Sequence, residues 1–162
     1  MEPHPFKTKT GRDITIRLFL EEKLQRLLLF YDEFEPKEGY QGLPPRSRST
    51  RRQWVDNLIR GNLTLLAVEG DRVIGHATAI SIPSSSMAEL IVFVHQDFQN
   101  QGIGTELIRL TAEYAANMGF RRLWLTVLSA NLIAVYVLRK CGFRFISPMD
   151  SEREMVMDIG SS

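Results

Sequence analysis

The chain has 162 residues, 44% of them hydrophobic, which suits one globular domain with its own core, or one domain with a small appendage, and excludes two domains of ordinary size. Lys and Arg number 20 against 19 Asp and Glu, so a net charge of +1 excludes a protein whose main work is coating nucleic acid, and any anion site must be local. The single cysteine, Cys141, excludes an internal disulfide; MEPHPFKTKTGRD lacks the apolar core of a secretory signal, and no apolar run nears the roughly 18 to 20 residues of a membrane span, so a cytoplasmic protein with no membrane or nucleic-acid partner is expected.

Residues 1–12 read as a polar leader with two prolines, and DITIRLFL as a first strand by its β-branched content. EEKLQRLLLFYDEF places Leu24, Leu27, Leu28 and Tyr31 at helical spacing, with Glu21 and Glu22 at the positive end of the dipole. The stretch from Glu35 to Ser49, rich in Pro and Gly, reads as an irregular loop, and RRQWVDNLIR as a second helix ended by Gly61. NLTLLAVEG and RVIGHATAISI form a hairpin, and after PSSS the strand MAELIVFV leads into QNQGIG. Leu107, Ile108, Thr111, Tyr114, Ala115 and Met118 then share one helical face up to Gly119. RRLWLTVL is a strand, NLIAVYVLRK a helix stopped by Gly142, and FRFIS and REMVMDI close the fold. The predicted order is β-α-α-β-β-β-α-β-α-β-β: an α/β fold with a mixed, mostly antiparallel sheet flanked by helices, in one domain spanning 1–162 with a tail at 159–162.

A turn with two glycines between a strand and a helix has two explanations. The glycines make a tight turn, or they let an anionic ligand approach the free N–H groups of the helix. The pattern Q/R-x-x-G-x-G/A alone is weak, because composition makes a chance match in a chain of this length about one in seven. A dinucleotide fingerprint fails because Leu107 stands where its third glycine belongs, and a P-loop fails because no Gly-Lys-Ser/Thr follows.

The series AELIVFV, QNQGIG (Gln99 to Gly104), the helix to Met118, LWLTVL and NLIAVYVLRKCGF resembles the GNAT superfamily of N-acetyltransferases in order and spacing, over roughly residues 64–158. The resemblance implies acetyl-CoA as co-substrate, with Val92, Phe93 and Val94 along the pantetheine. It places Gln99, Asn100, Gln101, Gly102, Ile103, Gly104 and Thr105 at the phosphates, and Asn131 at the thioester end. It implies an acceptor that is a small-molecule amine or a protein lysine or N-terminal amine, and it is compatible with a homodimer. Asn131 also reads as the N-cap of its helix, and the two roles are compatible.

Transfer to an amine needs the amine neutral, which for a lysine-like group costs roughly 4.6 kcal/mol at pH 7, so a base is useful. Glu89 is the candidate: its apolar neighbours favour a raised pKa, and GNAT enzymes often carry a glutamate on this strand. It lies about 10 to 13 Å along the strand from Val92 and Phe93, so action through water is expected. Tyr31, Tyr40 and His76 are the next candidates. Many GNAT enzymes place a thiol-protonating tyrosine seven residues after the helix-start asparagine, where this chain has Leu138. Tyr136 is about 200° away around the helix and does not substitute. This departure resembles GNAT protein-lysine acetyltransferases that use a glutamate base alone. It also leaves open a non-catalytic acyl-CoA-binding regulatory module.

His76 and His95 have no Cys or carboxylate at ligand spacing, so no metal is expected. Cys141 reads as a small apolar residue. Arg46, Arg48, Arg51 and Arg52 surround a helix start, where positive charge is unfavourable. They read as a solvated face, or as a surface for an anionic acceptor.

Overall fold

A computed structural model describes residues 1–37 and 42–160; Tyr40 and part of the 35–49 loop lie outside the described residues, as do Ser161 and Ser162 of the tail. The elements are His4–Lys7 (β1), Asp13–Leu18 (β2), Leu24–Glu33 (α1), Arg48–Ile59 (α2), Leu63–Glu69 (β3), Arg72–Ser81 (β4), Met87–Val94 (β5), Ile103–Asn117 (α3), Arg122–Leu128 (β6), Leu132–Cys141 (α4), Arg144–Phe145 (β7) and Glu152–Asp158 (β8). The expected order is present with one strand added. Part of the polar leader is β1, paired antiparallel with β2 from His4 opposite Ile16 to Lys7 opposite Asp13. Pro5 is tolerated there because β1 is an edge strand.

The eight strands form one sheet in the order β1-β2-β3-β4-β5-β6-β8-β7. Among the described residues only β5 and β6 run parallel. Period-two alternation sends Leu65 and Ala67 of β3 to one face, with Leu107 and Leu110 of α3. Leu66 and Val68 go to the other, with Leu27, Phe30 and Tyr31 of α1 and Val55 of α2. Leu138 of α4 joins Ile108 and Ala115 of α3 in the core beside β6 and β8. Gly75 on β4 lets α3 sit close, since a Cβ there would meet Leu107 Cδ1 at 3.0 Å and Ala67 Cβ at 3.3 Å. No helix among the described residues is long and apolar enough to cross a membrane.

The sheet splits between its two parallel strands. β5 pairs with β6 only from Met87–Arg122 to Glu89–Trp124. Beyond that point β5 stays with β4 as far as Val94, and β6 stays with β8 as far as Leu128.

Candidate active site

The open edge of β5 has a definite polarity. His95 N–H donates to Ile74 C=O at 2.9 Å, and this fixes the phase of the antiparallel ladder. Glu89, Ile91 and Phe93 therefore exchange backbone bonds with β4. The N–H and C=O of Val92 and the N–H of Val94 point into the gap that β6 has left. Val94 C=O is taken by the Gln99 side-chain amide, which donates to it at 3.1 Å and ties the following turn back to the strand. Of the three predicted pantetheine contacts, Val92 and Val94 thus present the free edge. Phe93 instead packs its ring with Tyr31, Phe34 and Trp54 on the α1/α2 face.

The turn delivers a second set of open groups. The first bond of α3 runs from Glu106 N–H to Gly102 C=O at 3.1 Å, and the N–H groups of Gly102, Ile103, Gly104 and Thr105 have no acceptor among the described residues. Asn100 and Gly102 take left-handed conformations, φ 61° and 90°, which make the sharp turn into α3. Gly104 is free of that constraint, and a Cβ there would lie 3.7 Å from Val94 Cγ2. Gln101 is held from behind: its C=O accepts from Lys9 N–H at 3.1 Å and its Oε1 from Thr10 Oγ1 at 2.7 Å. A free strand edge running into four unsatisfied amides suits an extended amide-bearing arm that ends in phosphates, which is the shape of a coenzyme A thioester.

Glu89 stands where the strands separate, opposite Ile80 on β4 and Trp124 on β6. Alternation puts its side chain on the α1/α2 face with Phe93. It has no hydrogen-bond or ion-pair partner among the described residues, and partial burial pushes its carboxyl above the ordinary glutamate range. Sequence reasoning missed a second carboxylate on this face. Trp124 Nε1–H donates to Glu154 Oε1 at 2.9 Å, and Glu154 pairs with Thr126 across β6 and β8. Thirty residues separate the partners, so only the pairing of β6 with β8 reveals it.

Tyr31 and His76, the reserve bases, belong to a buried chain of fixed direction. Thr64 Oγ1 donates to Asn62 C=O at 3.3 Å, so Thr78 must donate to Thr64, 3.2 Å away. Thr78 therefore accepts from His76 Nε2–H at 2.7 Å, and His76 Nδ1 accepts from Tyr31 O–H at 2.5 Å. Burial lowers the His76 pKa to about 3 and raises that of Tyr31 well above its ordinary value. Both stay neutral, with ring nitrogens and hydroxyl engaged, so neither is available as a base.

Asn131 caps α4, its Oδ1 accepting from Ala134 N–H at 3.2 Å. Leu138 is 8% exposed in the core, while Tyr136 is 68% exposed. The arginine cluster is not simply a solvated face. Buried Arg51 donates to Asp32 Oδ1 at 2.5 Å and to the carbonyls of Arg46 and Pro45, joining α1 to the start of α2. His95 Nδ1 accepts from Asp97 N–H at 3.0 Å. Among the described residues no group of three or more His, Cys, Asp or Glu could hold a metal.

The family model described as "Acetyltransferase (GNAT) family" matches residues 25–143. "Uncharacterized N-acetyltransferase YobR" of Bacillus subtilis (strain 168) is 39% identical over 56 residues, covering 35% of this chain and only 23% of that protein. The GNAT domain of S. lividans PAT superposes with a TM-score of 0.77 at 20% identity, covering 96% of each chain. A GNAT superfamily phosphinothricin acetyltransferase from Sinorhizobium meliloti, solved in complex with AcCoA, superposes at 0.72 with 18% identity, covering 91% of this chain and 89% of its own.

Proposed function

Because the chain belongs to the acetyltransferase (GNAT) family, we propose that it is an N-acetyltransferase, moving the acetyl group of acetyl-CoA to a primary amine by direct attack in a ternary complex. The observation that carries this reading is the free edge of β5 at Val92 and Val94, continuing into the open amides of Gly102 to Thr105. In it, Val92 and Val94 hold the pantetheine by backbone bonds, with the Phe93 peptide between them. Gln99, Asn100 and Gln101 shape the turn, and Gly102, Ile103, Gly104 and Thr105 bind the phosphates. Asn131 borders the thioester end. Bound acetyl-CoA supplies an activated acyl carbon, to which the amine nitrogen bonds as the carbon–sulfur bond breaks.

The chain's own residues do the rest. Val92 N–H, the free donor nearer Glu89, is available to the thioester carbonyl, while Val92 C=O and Val94 N–H serve the pantetheine amides. Glu89 accepts the amine proton through water, and its raised pKa makes it a better base than an exposed glutamate. No side chain at Leu138 protonates the departing thiolate, and at a pKa near 8.5 that costs only about 2 kcal/mol at pH 7. The acceptor is a small amine or a protein amine, approaching over the face that carries Glu89, Trp124 and Glu154. The free thiol of Cys141 fits a reducing, cytoplasmic setting.

Burial of Leu138 where a tyrosine acid is common favours one alternative, a non-catalytic acyl-CoA-binding module. The test is CoA release together with product mass, across polyamines, amino acids, antibiotics and lysine or N-terminal peptides. One acetylated product with stoichiometric free thiol supports the enzyme. Tight acetyl-CoA binding with no product from any amine supports the module.

A further inference from the structure

We propose that Lys9, on the β1–β2 turn, is an additional phosphate-binding residue for the acyl-CoA; this rests on the acetyl-CoA reading of the α3 turn. The turn that carries Lys9 is docked on the phosphate loop by the two bonds to Gln101, one from the Lys9 backbone and one from the Thr10 hydroxyl. His4 Nε2 lies 3.1 Å from Glu106 Oε1 on the first turn of α3 and holds the other end of β1 to the same helix. The docking leaves the Lys9 stem against the loop. Its Cε lies 3.9 Å from the point a Cβ would occupy at Gly102, with the Phe6 ring 3.4 Å from that point.

The neighbouring cations are committed elsewhere. Lys7 pairs with Asp13 at 3.1 Å, and Arg12 pairs with Glu69 at 3.2 Å while lying over the Phe98 ring. Arg109 is held by Glu106 and Glu113. Lys9 has no ion pair among the described residues. An ammonium on a flexible four-carbon stem, beside four amides with no acceptor, is placed to reach a phosphate without moving the backbone. It also explains how a chain of net charge +1 holds a polyanion: the cation comes from an N-terminal hairpin outside the span 25–143 that the family model matches.

Lys9→Gln isolates the charge, because the backbone bond to Gln101 does not depend on the side chain. Dissociation constants are measured by calorimetry for acetyl-CoA, for its 3′-dephospho form and for S-acetylpantetheine, which has no phosphate. Lys9→Gln should weaken the two phosphate-bearing ligands by about three- to tenfold at low salt. Acetylpantetheine affinity should stay as in wild type, and Lys9→Arg should restore acetyl-CoA binding. In about 1 M salt, where the Debye length is only about 3 Å, most of the difference should vanish. An unchanged acetyl-CoA constant in folded Lys9→Gln, or an equal loss for acetylpantetheine, overturns the assignment while leaving the binding site itself standing. Wild type that binds none of the three ligands overturns the acetyl-CoA reading, and this inference with it.

Discussion

Glu89 on β5 and Trp124 on β6 are the last pair before the two strands separate. The carboxylate therefore sits at the closed end of the gap, half-buried and without a partner among the described residues, while the free backbone edge at Val92 and Val94 begins three residues further on. An ionisable group left unsatisfied at such a place has a cost in stability, which the role in proton transfer proposed for Glu89 would account for.

Glu89→Gln should lower turnover at neutral pH by at least about two orders of magnitude and leave acetyl-CoA affinity near wild type. Rising pH should rescue the variant as more of the acceptor amine becomes neutral unaided. Stability should move the other way. The folded state holds the Glu89 proton more tightly than the unfolded state, so ionisation destabilises the fold as pH rises through the raised pKa. The variant should then melt above wild type at pH 7, and the gap should close below about pH 4.3. Normal turnover at pH 7 in Glu89→Gln would show that the base lies elsewhere, with Glu154 the first residue to replace.

The Tyr31–His76 chain should make the protein acid-sensitive. Unfolded histidine titrates near 6.5 and His76 in the fold near 3, so between those values the unfolded state holds the extra proton. Its contribution is fully present above about pH 6.5 and is lost as pH falls toward 3, by a few kcal/mol at most. Denaturant unfolding at pH 7.5 and pH 5 checks this against Tyr31→Phe. That variant leaves Nδ1 without its donor and should cost about 1 to 3 kcal/mol. Equal wild-type stability at both pH values would contradict the buried neutral histidine.

How much of this was legible in the sequence depends on how far apart the partners lie. The strand, glycine turn and helix from Met87 to Asn117 were readable, because apolar periodicity and turn chemistry are local. β1 was not: it has four residues, one of them proline, and its Phe6 packs against a core assembled from β2, β3, β4 and α3. Arg51 looked like a charge on an open helix start, yet its fork closes on Asp32, nineteen residues earlier. The Tyr31–His76 bond spans 45 residues and the Trp124–Glu154 bond 30, so the first follows from how α1 packs on the sheet and the second from strand order, and neither from spacing. The parting of β5 and β6 was equally hidden, since nothing in LWLTVL says where its partner leaves it.

Leu138 should prove a packing residue. It lies in the core with Ile108, Leu125 and Phe143, so Leu138→Ala should cost about 2 to 5 kcal/mol in denaturant unfolding while acetyl-CoA affinity stays near wild type. Full stability with lost turnover would assign it to the chemistry instead.

The most direct test of acyl-CoA binding at the α3 turn is the acetyl-CoA dissociation constant of Gly104→Glu. Gly102 is a poor position for it, because φ of 90° strains any side chain and would confound the result. At Gly104 the backbone tolerates a Cβ, with Val94 in ordinary contact at 3.7 Å, and the substitution adds a negative charge on one of the four residues, Gly102 to Thr105, whose amides are open. The variant should fold with a melting temperature near wild type and bind acetyl-CoA at least about tenfold more weakly, through repulsion of the phosphates. A folded Gly104→Glu protein that binds acetyl-CoA as tightly as wild type would contradict the account.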